Sequence, residues 1–146
     1  GTIINMKKDV LISIKGVQRV EGQEEVIELM TVGNLYKKKD SYYLSYEETE
    51  ATGFGGSKTT LRLEQDGRVT MLRSGAYRSH LIVEKGRRHQ CVYDTGYGEM
   101  MIGVLGNQIS STLTDKGGNI QFKYSLDINT SLASENEVYI DVKECK

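Results

Sequence analysis

Apolar and polar residues alternate along most of this chain, and glycine-bearing turns separate the alternating stretches. Ile120, Phe122, Tyr124, Leu126 and Ile128 occupy one phase, while Gln121, Lys123, Ser125, Asp127 and Asn129 occupy the other. A period of two places the two sets on opposite faces of an extended strand, which predicts half-buried antiparallel sheet. Candidate strands fall over 7–18, 25–37, 41–49, 58–65, 68–74, 77–84, 87–95, 99–114, 119–129 and 137–144. No helical period intervenes. The expected fold class is all-β: one antiparallel up-and-down β-barrel of about eight to ten strands, which closure relieves of exposed edges. Val138, Ile140 and Val142 are expected to meet Val10, Ile12 and Ile14 where the last strand closes on the first.

Turn chemistry sets register, and register decides which side chains face inward. A three-residue loop at Gln65-Asp66-Gly67, with Gly67 left-handed, pairs Leu63 with Val69, Leu61 with Met71 and Thr59 with Arg73. Polar residues then gather outside, with Glu64 against Arg68, and an arginine points into the lumen. The same logic at Glu84-Lys85-Gly86 pairs Val83 with Arg87, Leu81 with His89, Ser79 with Cys91 and Tyr77 with Tyr93. It leaves His80 in water. On the third strand Tyr42, Leu44, Tyr46 and Glu48 form the better inward set. The turn at Asp115-Lys116-Gly117-Gly118 sets Ile109, Ser111 and Leu113 against Tyr124, Phe122 and Ile120, and Gly103 and Gly106 predict a bend or bulge.

The expected polar interior is therefore Tyr46, Glu48, Arg73, Tyr77, His89 and Tyr93. An arginine removed from water needs a carboxylate or several acceptors, because an unpaired buried charge is very costly. Two readings stand. Arg73 anchors an anionic ligand group while tyrosines frame its apolar body, or Arg73 and Glu48 form an internal structural ion pair. Phe54, in the loop Gly53-Phe54-Gly55-Gly56-Ser57-Lys58, would gate the lumen if it caps the mouth. That loop is not a phosphate cradle, because the G-x-x-x-x-G-K-[ST] spacing is absent and strand, not helix, follows.

The order Tyr46-Glu47-Glu48, Arg73-Ser74-Gly75, Tyr93-Asp94-Thr95-Gly96-Tyr97-Gly98 and then Gly118 through Leu126 resembles the YwiB-like family of small bacterial proteins of unknown function. The likeness runs from about Asp9 to Lys143, with Gly96 standing where a Tyr-x-Thr-Pro-x-Gly pattern carries proline. The resemblance implies a calycin-type barrel, similar in outline to lipocalins and streptavidin, and a cytoplasmic, Gram-positive-type origin. It implies no activity and no catalytic residues.

Composition narrows the function classes. Lys plus Arg (19) nearly cancel Asp plus Glu (20), so no basic stripe marks a nucleic-acid binder. The longest apolar stretch, Met100 to Leu105, is far too short to span a bilayer. Cys91 and Cys145 make no disulfide framework, and Cys91 reads as a small buried apolar residue. His89 and Cys91 share a strand face, but zinc needs three or four ligands, so no metal and no cofactor is expected. The doublets Glu24-Glu25 and Glu47-Glu48 split across strand faces and make no acid/base pair. The 146 residues read as one domain, 1–146, with 1–6 outside its ordered body and Met6 a candidate initiator. The leading expectation is a non-enzymatic cytoplasmic binder of a small anionic or amphipathic molecule in the barrel cavity. The rival is a structural or regulatory interaction module with a filled barrel, dimeric in one version. An enzyme built at the mouth around His89, Tyr93 and Arg73 ranks third.

Overall fold

The computed structural model describes residues 4–145. Ten strands succeed one another: β1 (Ile4–Val20), β2 (Gln23–Lys38), β3 (Ser41–Glu47), β4 (Ser57–Leu63), β5 (Val69–Gly75), β6 (Ser79–Val83), β7 (Arg88–Asp94), β8 (Glu99–Ser111), β9 (Gly117–Ile128) and β10 (Ser131–Glu144). A short 3-10 turn, Glu50–Thr52, lies between β3 and β4. Each strand pairs antiparallel with the next. β10 returns to β1, with Ile12 opposite Val142 and Ile14 opposite Ile140, and closes the barrel as the alternation predicts. β1 begins at Ile4, so residues 4–6 are strand rather than a loose leader; residues 1–3 lie outside the described residues.

One face of the alternation fills the tube. Val10, Ile12, Leu35, Leu44, Leu61, Val69, Leu81, Val83, Ile102, Val104, Ile120, Phe122, Ile140 and Val142 are buried in one cluster, with Cys91 among them. Each fully buried aliphatic side chain contributes about 1.5–3 kcal/mol, so this plug is the main source of stability. It gathers the polar cluster around Arg73 at one end of the lumen, the end bounded by the β1–β2, β3–β4, β5–β6, β7–β8 and β9–β10 connections.

The β4–β5 hairpin has the expected register: Leu63 faces Val69, Leu61 faces Met71 and Thr59 faces Arg73. Gly67 takes φ +92°, a left-handed value that glycine adopts without strain. Its amide donates to the Glu64 carbonyl at 2.9 Å, and Arg68 returns an ion pair to Glu64.

Two other registers differ from expectation, and both differences move site residues along the lumen. At β6–β7 the closing pair is Glu84 with Arg87, across a two-residue Lys85-Gly86 loop. One extra residue then enters β7, so His80 opposes Val92 instead of Gln90. The neighbouring strand causes this: Gly86 N–H donates to the Gly106 carbonyl at 2.9 Å, tying the turn to β8. Gly106 permits the approach, since a Cβ there would lie 2.5 Å from the Glu84 carbonyl carbon. At β8–β9 the turn is the two residues Asp115-Lys116, with Thr114 and Gly117 exchanging both hydrogen bonds at 2.8 and 3.0 Å. Ile109 therefore faces Phe122 and Ser111 faces Ile120, two places from expectation. The bulge predicted near Gly106 falls between Gly106 and Gln108, and it sets Tyr124 opposite Gly106.

Candidate functional site

The polar end of the lumen is built around Arg73, at the mouth end of β5, between Thr59 of β4 and Ser79 of β6. Strand parity turns its side chain inward. Its Nε donates to Thr59 Oγ1 at 3.1 Å, and its Nη2 stands 3.7 Å from Glu48 Oε2. The Arg73 and Glu48 side chains retain only 10% and 2% of their exposure. The Nη groups make no hydrogen bond to any described residue, because 3.7 Å exceeds hydrogen-bond length. The cation is thus electrostatically paired but not saturated.

Glu48 follows β3 directly. Its amide donates to the Ser57 carbonyl at 2.8 Å, which fixes where the carboxyl enters the lumen, and Thr52 Oγ1 donates to Oε2 at 3.4 Å. Burial pushes the Glu48 carboxyl up from its ordinary value, and the Arg73 charge, with the Thr52 and Tyr46 hydroxyls, opposes the push. Tyr46, buried on β3, is held well above the usual phenol range by burial and then by Glu48. Tyr124 is pushed up to about 12 by burial, with Tyr93 adding to the effect and Arg73 opposing it. Both phenols therefore act as neutral donors at ordinary pH.

Phe54 is the roof. The Glu50–Thr52 turn ends on Gly53 at φ +85°, which brings the loop back over the lumen. The Phe54 ring centroid lies 3.8 Å from the Arg73 guanidinium carbon, within cation–π range. Tyr77 meets the Phe54 ring edge-on at 5.5 Å and buttresses it.

Between these groups and the projecting strands lies a cavity of about 310 Å³. Tyr46, Glu48, Arg73, Tyr93 and Phe54 line it, together with Tyr124, Thr52, Glu25, Asn136 and the apolar Ile14, Ile27, Leu29 and Val138. Four of the six expected interior residues therefore meet at one site, and Phe54 meets them there. Tyr77 and His89 do not. Tyr77 lies before β6 begins, in the β5–β6 connection, with its amide on Ser57 Oγ at 2.9 Å. His89 faces inward, but the extra residue in β7 carries it toward the closed end. There its Nε2 meets Glu84 Oε1 at 2.9 Å. The constellation His89–Tyr93–Arg73 is not assembled. His80 is exposed, as expected.

Sequence reasoning passed over Tyr124, Asn136, Glu25 and Thr52. Tyr124 had a signal: it sits on the apolar phase of the cleanest alternating stretch in the chain. Asn136 had none, since the last strand was expected to start at 137 and instead starts at Ser131. Asn136 is buried, donating from Nδ2 to Ser134 Oγ at 2.9 Å and accepting from Gln18 Nε2 at 3.4 Å.

Comparison with known proteins agrees with this architecture. The family model described as "Domain of unknown function (DUF1934)" matches residues 12–140. The "Uncharacterized beta-barrel protein YwiB" of Bacillus subtilis (strain 168) is 29% identical over 119 residues, 82% of each chain. The crystal structure of the ywiB protein from Bacillus subtilis superposes with a TM-score of 0.84 at 25% identity, over 98% of this chain and 96% of that one. The all-β barrel and the YwiB likeness read from the sequence are both borne out. Among the described residues no helix is long and apolar enough to cross a membrane.

Proposed function

This chain belongs to the DUF1934 family, and on that premise we propose that it is a non-enzymatic binding protein for a small amphipathic monocarboxylate. The observation that carries the reading is the Arg73 guanidinium, walled into a cavity with its Nη donors free of hydrogen bonds. A carboxylate accepts from such a fork in bidentate geometry. The apolar body of the ligand then lies against Ile14, Ile27, Leu29 and Val138. The volume, about 310 Å³, equals roughly ten waters at about 30 Å³ each, at the lower end of ligand cavities. Glu25 and Glu48 line the same space, so a multiply charged phosphate would meet stronger repulsion than a single carboxylate does. Phe54 acts as the gate in this reading, because a ligand reaching Arg73 has to displace or slide under its ring. We place the protein in the cytoplasm, where a reducing poise maintains free thiols such as Cys91 and Cys145.

Isothermal titration with linear monocarboxylates and their matched alcohols tests the proposal. The carboxylates are expected to bind at least about tenfold more tightly than the alcohols. The double variant Glu48→Gln/Arg73→Gln, which leaves no unpaired charge, is expected to abolish that preference. Equal binding of acids and alcohols by the native protein, or no binding of either, overturns the reading.

A further inference from the structure

The barrel closes through a short seam. β2 pairs with β3 only from Asn34 to Lys38, opposite Ser45 to Ser41. From Gln23 to Gly33 β2 is hydrogen-bonded to β1 on one side and, among the described residues, to no strand on the other. Gly33 marks the fork. It lies so close to Ser45 and Tyr46 that a Cβ would meet the Tyr46 Cβ at 3.2 Å, and beyond it β3 turns away into the Phe54 loop. The result is a long strand edge with unpaired amides and carbonyls, a template that proteins ordinarily keep short or covered.

Its side chains describe what would fit. Val26, Ile27, Met30 and Val32 are 47%, 49%, 68% and 63% exposed, apolar residues that a neighbouring strand would cover. Glu24, Glu25 and Glu28 are interspersed among them. Glu24 is ion-paired with Arg19, whereas Glu25 and Glu28 form no ion pair among the described residues. We infer that the free edge of β2 accepts an extended, basic segment of another protein by strand addition, with lysines or arginines opposite Glu25 and Glu28 and apolar residues opposite Val26, Ile27 and Met30. Main-chain hydrogen bonds supply affinity in this mode of recognition, and cross-strand side-chain pairs supply the choice of partner. A second copy of β2 is the poorer occupant, because it would bring a second set of three glutamates beside the first, and crowded like charges destabilise paired strands. The inference goes beyond the cavity proposal: it uses the outer edge of β2 and does not require Arg73. Glu25, Ile27 and Leu29 line the cavity from this same strand, so an added strand would also wall the flank between β2 and the Phe54 loop.

The test uses the whole chain and a synthetic ten-residue peptide of valine and threonine carrying two lysines three residues apart, so that one meets Glu25 on one face of the added strand and the other meets Glu28 on the opposite face, beside the same peptide with glutamate for lysine. The basic peptide is expected to protect the amides of Gln23–Gly33 from hydrogen exchange. It is also expected to bind at least about tenfold more tightly than the acidic one, and more weakly as salt rises. Glu25→Lys/Glu28→Lys, at surface positions that do not threaten folding, is expected to reverse the preference. A basic peptide N-methylated on alternate residues is expected to lose binding. The Glu48→Gln/Arg73→Gln variant is expected to bind the peptide as the native protein does, so this result stands or falls apart from the cavity reading. No protection of Gln23–Gly33, equal binding of the two peptides, or prior protection of this edge in a native dimer overturns the inference.

Discussion

The guanidinium carbon of Arg73 lies 3.8 Å from the centroid of the Phe54 ring, so the arginine that points into the lumen is roofed by an aromatic from a glycine-rich loop. Glu48 holds the same cation from the β3 side at 3.7 Å. On the proposed reading, access to the cavity and neutralisation of its charge depend on two neighbours of a single residue.

Removing the roof separates these roles. Phe54→Ala deletes a largely desolvated cation–π contact, expected to cost about 1–2 kcal/mol, and leaves Glu48 and Thr59 still on Arg73. Urea denaturation followed by far-UV circular dichroism gives the stability. An unchanged midpoint would show that the ring rests over the cation without stabilising it.

Removing one partner of the ion pair has a different signature. Arg73→Gln strands a carboxyl whose side chain is 2% exposed. Breaking a buried pair on one side costs roughly 3 kcal/mol or more. Adding Glu48→Gln should recover most of that loss, because two neutral amides need no counter-charge. A double-mutant cycle with strictly additive losses would refute the coupling.

Glu48 also predicts a pH dependence. Its carboxyl is raised in the folded state, so the folded protein favours the protonated form. The associated stability is present in full below the ordinary carboxyl range and is lost as pH rises through the raised value. A bound carboxylate repels the ionised form further, so ligand affinity is expected to increase as pH falls from 8 toward the Glu48 titration. Calorimetric titration at several pH values should show proton uptake on binding, and Glu48→Gln should abolish it and leave a flat profile.

Gly33 predicts a purely steric failure. A side chain there would run into the Ser45 carbonyl, the Ile12 Cδ1 at 2.7 Å and the Tyr46 Cβ at 3.2 Å. The carbonyl belongs to backbone at the fork and cannot give way as a flexible side chain could. Gly33→Ala is expected to cost about 3 kcal/mol, read as a lowered urea midpoint with the native spectrum kept below it. Gly16→Ala, with nothing within 4 Å, is the matched control.

The site is partly legible in the sequence. Arg73 was found because the Gln65-Asp66-Gly67 loop has one register that sorts apolar from polar, and a single sorted hairpin commits the next inward pair. Tyr46, Glu48 and Tyr93 followed by parity. His89 has the expected parity and the wrong depth: the hydrogen bond from Gly86 to Gly106 comes from a strand twenty residues onward in sequence, and no local pattern announces it. Tyr77 failed because the β5–β6 connection is longer than the alternation suggested, and Asn136 because β10 starts at Ser131, six residues before the expected start at 137.

Which face of a strand a residue occupies is a local property, set by the two-residue repeat of extended backbone, and from it follow the ten-strand sheet, its apolar inner face and the inward arginine. How far along the lumen that residue lies is not local. It depends on turn lengths and on the bulges that neighbouring strands impose through their own hydrogen bonds. Those long-range contacts alone decided that the polar side chains meet at one mouth beneath Phe54, that His89 lies at the other end, and that β2 parts from β3 at Gly33 to leave an edge unpaired.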